Sequence, residues 1–137
     1  MGRLMALDFG KKRTGIAVSD PLQIIATGLQ TVETNQLFSF LENYFKTEIV
    51  DNVIIGLPKN LDNSDTDATK LVTDFIKKFK QTFSHKRIET IDERFTSKLA
   101  QQSILQSGLK KKDRQNKALV DEISAIIILQ DYMQRQF

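Results

Sequence analysis

Three acidic residues lie in parts of the sequence that otherwise have the character of buried structure. Asp8 ends the run MALD, Glu93 directly follows the segment RIETID, and Asp121 interrupts the segment ALVDEISAIIIL. An unpaired carboxylate is costly to bury, so each needs a cation, hydrogen bonds or a raised pKa. If the three side chains converge, their mutual repulsion requires a positive charge between them. Oxygen ligands favour Mg²⁺ or Mn²⁺ for that purpose.

Magnesium held by carboxylates most often serves phosphate chemistry, and two ions ~4 Å apart can activate water and stabilise the leaving oxygen of a phosphodiester. Basic residues near the acids fit an anionic substrate. The candidate phosphate ligands are Lys12, Arg13, Lys59 and Arg94. Glycines at positions 10 and 15 flank the first basic cluster and are expected to let a phosphate approach closely.

Each acid also has a purely structural explanation, because a buried salt bridge or a helix cap would account for any one of them. Asp92 competes with Glu93 as a ligand, since neighbours at a strand end point to opposite faces. Glu122 lies ~100° around a helix from Asp121 and is expected to point elsewhere. Asp20 is more typical of a turn than of a ligand.

Composition indicates one globular domain over residues 1–137, with 40% hydrophobic and 27% charged residues. The net charge of +3 permits an anionic partner such as nucleic acid without requiring one. The basic run KKKDR, residues 110–114, is either a solvated loop or a flexible arm beside the site. The absence of cysteine excludes disulfides and thiolate metal sites. No apolar stretch approaches the ~18 residues of a membrane span, so a cytoplasmic location is expected.

The elements that must position these residues are strands followed by strand–helix units. Strands are predicted at 3–9 and 14–19, which form a hairpin, and then between 24 and 32, at 53–56 and at 87–92. This order indicates an α/β fold with a five-stranded mixed sheet and helices on both faces. In such sheets, functional groups gather at the carboxyl ends of the strands.

Four helices are predicted between and after the strands. The first is capped by Thr34 or Asn35, and its apolar face consists of Leu37, Phe38, Leu41, Tyr44 and Phe45. The second has an apolar face of Ala68, Leu71, Val72, Phe75, Ile76 and Phe79. The third runs from the cap Thr96 to Gly108, and the fourth covers 117–133 with a largely buried IIIL segment.

Four motifs in this order resemble the bacterial YqgF (RuvX) family, whose members are named pre-16S rRNA nucleases and, earlier, Holliday junction resolvases. The motifs are ALDFGKKRTGIAVSD, VIIGLPKNLDNS, DERFTS and VDEISAIIIL. The resemblance implies an RNase H-like fold in which Asp8, Glu93 and Asp121 occupy the acidic positions that hold metal. Departures at Lys11, at Asn63 and at positions 122–123 remove none of these ligands.

The leading hypothesis is therefore a metal-dependent endonuclease, with the resemblance favouring 5′-end maturation of precursor 16S rRNA in ribosome biogenesis. One alternative is a Holliday junction resolvase in DNA recombination and repair, which should be a dimer, and the sequence leaves monomer and homodimer open. A second alternative is a non-catalytic RNA-binding assembly factor. DFGKKRTG also resembles the phosphate-binding turn of actin-like ATPases, which need two such domains around a nucleotide.

Overall fold

The fold is built on a five-stranded sheet. The computed structural model describes residues 2–58, 62, 64–92 and 117–135. The strands are β1 (Arg3–Phe9), β2 (Arg13–Ser19), β3 (Ala26–Glu33), β4 (Val50–Leu57) and β5 (Arg87–Asp92). Their spatial order is β3-β2-β1-β4-β5. The first three strands pair antiparallel, whereas β4 is parallel to both β1 and β5. The predicted strands and the mixed sheet are confirmed.

Helices cover both faces of this sheet, as the sequence predicts. Alternation along β1 sends Met5 and Leu7 into a core with α1 (Leu37–Thr47) and α2 (Asp67–Thr82). It sends Leu4 and Ala6 into a second core with the last helix, α3 (Lys117–Arg135). The fold is the α/β arrangement predicted from the sequence. The predicted helix from Thr96 to Gly108 lies outside the described residues.

The start of α1 differs from the prediction. Thr34 and Asn35 are not its cap, because they belong to a 3₁₀ turn that ends at Gln36, the residue that precedes the helix. The Thr34 hydroxyl instead donates to the carbonyl of Gly10 at 2.6 Å, and its backbone N–H donates to the carbonyl of Lys12 at 2.9 Å. Thr34 therefore fixes the β1–β2 turn against the end of β3.

The buried face of α2 is also rotated from the one predicted. Ala68 and Leu71 are exposed, and the buried residues are Thr69, Val72, Phe75 and Phe79. Thr69 forms a capping box with Thr66, and its hydroxyl also donates to the carbonyl of Pro58. These bonds satisfy the buried hydroxyl of Thr69 and hold the first turn of α2 against the end of β4.

Asp20 is a turn residue, as predicted. Its carboxylate accepts backbone N–H bonds from Leu22, Ile24 and Ile25 at 3.2, 2.7 and 2.8 Å. Hydrogen bonds from Ile25 and its neighbours hold the pKa of Asp20 below its usual range. Among the described helices, none has the length and apolar character that crossing a membrane requires.

Candidate active site

The structure brings Asp8 and Asp121 to the same face of the sheet. Asp8 follows Leu4 and Ala6 in the alternation of β1, so its side chain lies on the face that α3 covers. Asp121 lies in the first part of α3, and its charge contributes to raising the pKa of Asp8. Two of the three acids predicted to share a site are therefore neighbours.

Gly15 is the reason that α3 can approach β2 so closely. It pairs directly with Asp8 in the β1–β2 register, and a Cβ atom built on it would lie 2.1 Å from the carbonyl oxygen of Asp121. The expectation that Gly15 makes room for a phosphate is wrong, because the backbone of α3 occupies that space. A Cβ atom on Gly10 would lie 2.4 Å from the carbonyl oxygen of Arg13, so Gly10 serves the tight turn.

Arg13 is positioned by an ion pair with the site. Its Nε donates to Oδ2 of Asp121 at 3.0 Å, and the Asp121 side chain is only 23% exposed. Alternation along β2 places Arg13 on the same face as Gly15 and Ala17, which explains why it reaches α3. Arg13 therefore offsets the charge of Asp121, whereas Asp8 forms no ion pair among the described residues.

Burial raises the pKa of Asp8 from 3.8 to about 7, and repulsion from Asp121 adds to the effect. Near neutral pH, Asp8 is thus divided between its protonated and ionised forms. The pair of carboxylates supplies oxygen ligands, which are the ligands that Mg²⁺ or Mn²⁺ prefers, and repulsion between the two acids would be relieved by a cation. These residues therefore fit a divalent cation.

Substituting Asp121 should lower the pKa of Asp8. Asp121→Asn removes the repulsion but leaves the burial, so the pKa of Asp8 is expected to fall below about 7 without returning to 3.8. A carbon-detected NMR titration of the Asp8 carboxyl group in metal-free protein would measure the change.

Glu122→Gln is the matched control for that titration, because it removes the same charge one residue further along α3. Glu122 faces β3, where its Cβ would lie 3.6 Å from a Cβ built on Gly28, so it points away from Asp121 as predicted. If the pKa of Asp8 fell equally in the two variants, a specific interaction between Asp8 and Asp121 would be contradicted.

The third predicted acid, Glu93, lies outside the described residues, as do Lys59, Arg94 and the basic run at 110–114. The structure does describe the competing residue. Ile91 packs in the core with α3, whereas Asp92 is the register partner of Leu57, which packs on the opposite side of the sheet. Asp92 is therefore not on the face of Asp8. Within the described ranges, no third acidic or histidine side chain completes a metal-binding group.

Lys12 and Arg13 line a common groove beside the site. The groove has a volume of about 550 Å³, and its lining residues are Lys11, Lys12, Arg13, Glu33 and Asn35. The sequence predicts Lys12 and Arg13 as phosphate ligands but does not predict that Glu33 and Asn35 lie beside them. That proximity depends on the strand register, which pairs Glu33 with Arg13 across β2 and β3.

Comparisons with known proteins agree on one class of enzyme. The family model described as "RuvX: Holliday junction resolvase" matches residues 2–135. A Bacteroides fragilis protein is 54% identical over 134 residues, covering 98% of this chain and 97% of its own length. A Flavobacterium psychrophilum protein is 52% identical over 136 residues, covering 99% of both chains. A Porphyromonas gingivalis protein is 47% identical over 133 residues, covering 97% and 96%. All three are named "Putative pre-16S rRNA nuclease".

Proposed function

Since the chain belongs to the RuvX family, we propose that it is a metal-dependent endonuclease that matures the 5′ end of precursor 16S rRNA in ribosome biogenesis. The family and the enzyme class predicted from the sequence, a hydrolase acting on phosphodiester bonds, are confirmed. The metal, the RNA substrate and a single nuclease domain over residues 1–137 are parts of the proposal. The observation that carries it is the juxtaposition of Asp8 and Asp121 beside the basic groove.

In this proposal Asp8, Asp121 and Glu93 hold Mg²⁺ or Mn²⁺. The chemistry that such an ion supplies is activation of water and stabilisation of the leaving oxygen of a phosphodiester. Asp92 is the weaker choice for the third ligand. It pairs with Leu57 in the β4–β5 register, and both residues lie on the face of the sheet away from Asp8. The partial protonation of Asp8 near neutral pH means that ion binding would release a proton from it.

The basic residues have separate roles around this centre. Arg13 orients the Asp121 carboxylate through its 3.0 Å bond and offsets part of the negative charge that would repel a phosphodiester. Lys12 lines the groove next to it and is proposed to bind a backbone phosphate, together with Lys59 and Arg94. Charge on these residues supports affinity for any nucleic acid and does not choose between RNA and DNA.

The names of the relatives favour RNA, and the description of the family favours a second candidate, a resolvase of Holliday junctions. The same carboxylates would serve either substrate. A resolvase makes paired cuts and would act as a dimer, whereas a maturation nuclease can act as a monomer. The proposed substrate implies a cytoplasmic location, where ribosomal precursors are processed.

The test is a cleavage assay with the full chain, a 5′-extended precursor 16S rRNA fragment and a four-way DNA junction. After EDTA treatment and dialysis, we expect cleavage near the mature 5′ end only when Mg²⁺ or Mn²⁺ is restored. Cleavage of the junction alone would favour the resolvase. Binding of the precursor without cleavage under any metal condition would favour a non-catalytic assembly factor. Equal cleavage in EDTA would contradict the metal dependence.

A further inference from the structure

The groove beside the β1–β2 turn combines cations with neutral and acidic hydrogen-bonding groups. Lys11 and Lys12 are exposed at its edge, and Glu33 and Asn35 come from the end of β3 and the turn that follows. Its volume of about 550 Å³ lies within the ~300–1,000 Å³ typical of sites for small ligands. A groove built only for phosphates would not need a carboxylate among its cations.

The two sides of the groove are held together by Thr34. Its hydroxyl donates to the Gly10 carbonyl at 2.6 Å, its N–H donates to the Lys12 carbonyl at 2.9 Å, and its hydroxyl lies 3.0 Å from that of Thr14. The backbone that carries Lys12 is therefore fixed relative to the backbone that carries Glu33. A fixed arrangement reduces the ordering cost of binding a ligand that contacts both sides.

Glu33 can accept hydrogen bonds from a ligand, because the Arg13 guanidinium pairs with Asp121 instead of with Glu33. It lies directly across from Arg13 in the β2–β3 register, a position where opposite charges ordinarily pair. Arg13 instead donates its Nε to Asp121. Within the part of the chain that the structure describes, Glu33 forms no ion pair, although it shares the groove with three cations.

The groove is close enough to the carboxylates to receive the same nucleic-acid strand. Arg13 lines the groove and lies two residues before Gly15, the register partner of Asp8. Such diagonal neighbours across an antiparallel pair lie about 7–8 Å apart, which is similar to the spacing of neighbouring phosphates in an extended strand. A nucleotide in the groove would therefore adjoin one at Asp8.

We infer that this groove is a ribose–phosphate subsite in which Lys11 and Lys12 bind a backbone phosphate and the Glu33 carboxylate accepts a hydrogen bond from a ribose 2′-hydroxyl. The inference rests on the proposed function and identifies Glu33 as the residue that favours RNA over DNA. DNA has no 2′-hydroxyl to donate, so its backbone would leave the Glu33 carboxylate without that hydrogen bond. A site built to bind a hydroxyl group discriminates against the analogue that lacks it.

The experiment measures fluorescence anisotropy of a labelled single-stranded RNA and of the DNA with the same base sequence, using the full chain in EDTA. The wild-type protein is expected to bind RNA about 2- to 10-fold more tightly, the range of one net hydrogen bond. Glu33→Ala should bring the ratio of the two dissociation constants close to one. Glu33→Gln, which keeps an acceptor oxygen, should retain a preference for RNA. Lys12→Ala should weaken RNA and DNA binding by the same factor.

Glu42→Ala is the charge-matched control, because Glu42 is an exposed acid on α1 outside the groove. It should leave the ratio unchanged. No RNA preference in the wild-type protein, or the same preference after Glu33→Ala, would overturn the inference while leaving the proposed nuclease function intact. Failure of the wild-type protein to bind either strand in EDTA would overturn the inference, while the cleavage assay with Mg²⁺ would still decide the proposed function.

Discussion

Asp8→Asn is expected to abolish phosphodiester hydrolysis and, in the metal-free protein, to stabilise the fold. The loss of activity should exceed the ~10- to 100-fold that removal of an outer-shell partner of a metal costs, because Asp8 is proposed as a direct ligand. The two effects have one cause. The fold places an ionisable group where its charge is unfavourable unless a cation accompanies it.

The stability effect has a defined pH dependence. The pKa of Asp8 is raised from 3.8 to about 7, so the folded protein binds an extra proton between these values. Its contribution to the free energy of unfolding is therefore fully favourable below about pH 4 and is lost as the pH rises through about 7. The Asp8→Asn variant has no charge to bury and so does not lose this stability. Its free energy of unfolding should exceed that of the wild type by more at about pH 8 than at about pH 5, with a difference of at most about 4 kcal/mol.

Urea unfolding in EDTA at the two pH values measures the gain, and the cleavage assay with Mg²⁺ measures the activity. Asp74→Asn is a suitable control, because Asp74 is an exposed acid on α2 and lies on the other side of the sheet from α3. It should change neither quantity. A variant of Asp8 that cleaves as fast as wild type, or that is less stable than wild type at the higher pH, would contradict the assignment of Asp8.

Gly15→Ala should have the second large effect, on stability and activity together. The added Cβ atom would lie 2.1 Å from the backbone carbonyl of Asp121, so α3 must move by about 1 Å to relieve the contact. Overpacking of this kind costs about 1–3 kcal/mol, and a misplacement of ~1 Å at a reacting centre can reduce the rate about 100-fold.

Gly28→Ala is a closely matched control for Gly15→Ala. Gly28 lies on β3 under the same helix, but its Cβ atom would meet the tip of the Ile126 side chain at 3.3 Å, and that tip can rotate away. We expect Gly28→Ala to lower the free energy of unfolding much less and to preserve cleavage. If Gly15→Ala cost as little as Gly28→Ala and also preserved cleavage, α3 would tolerate bulk beneath Asp121 and the prediction would be wrong.

The sequence predicted the parts of the site that depend on local pattern. An acid at the end of an apolar run, as at Asp8, predicts a carboxylate at a strand end. An acid within an apolar helix, as at Asp121, predicts a partly buried charge. Their convergence also follows from topology, because a helix that covers one face of the sheet must pass over β1 and β2. The structure places Asp8 and Asp121 near each other, while their roles and the metal remain proposals.

The parts that the sequence did not predict depend on contacts between distant segments. The Arg13–Asp121 pair joins residues 108 positions apart, and no local pattern distinguishes it from a free phosphate ligand. The role of Gly15 depends equally on where the backbone of α3 lies. A Thr before a helix usually caps it by accepting a backbone N–H, whereas here Thr34 lies in the preceding 3₁₀ turn and its hydroxyl donates to the Gly10 carbonyl.

The long separation between Arg13 and Asp121 also has a consequence for the order of folding. The antiparallel strands β1, β2 and β3 close short loops within residues 3–33, and such loops form quickly, whereas docking of α3 on β2 closes a loop of more than a hundred residues. We expect the hairpins to be protected from hydrogen exchange earlier in refolding than α3. A partly folded chain would then contain Asp8 in an ordered strand without Asp121 beside it, and the enzyme would acquire its active site only in the last step of folding.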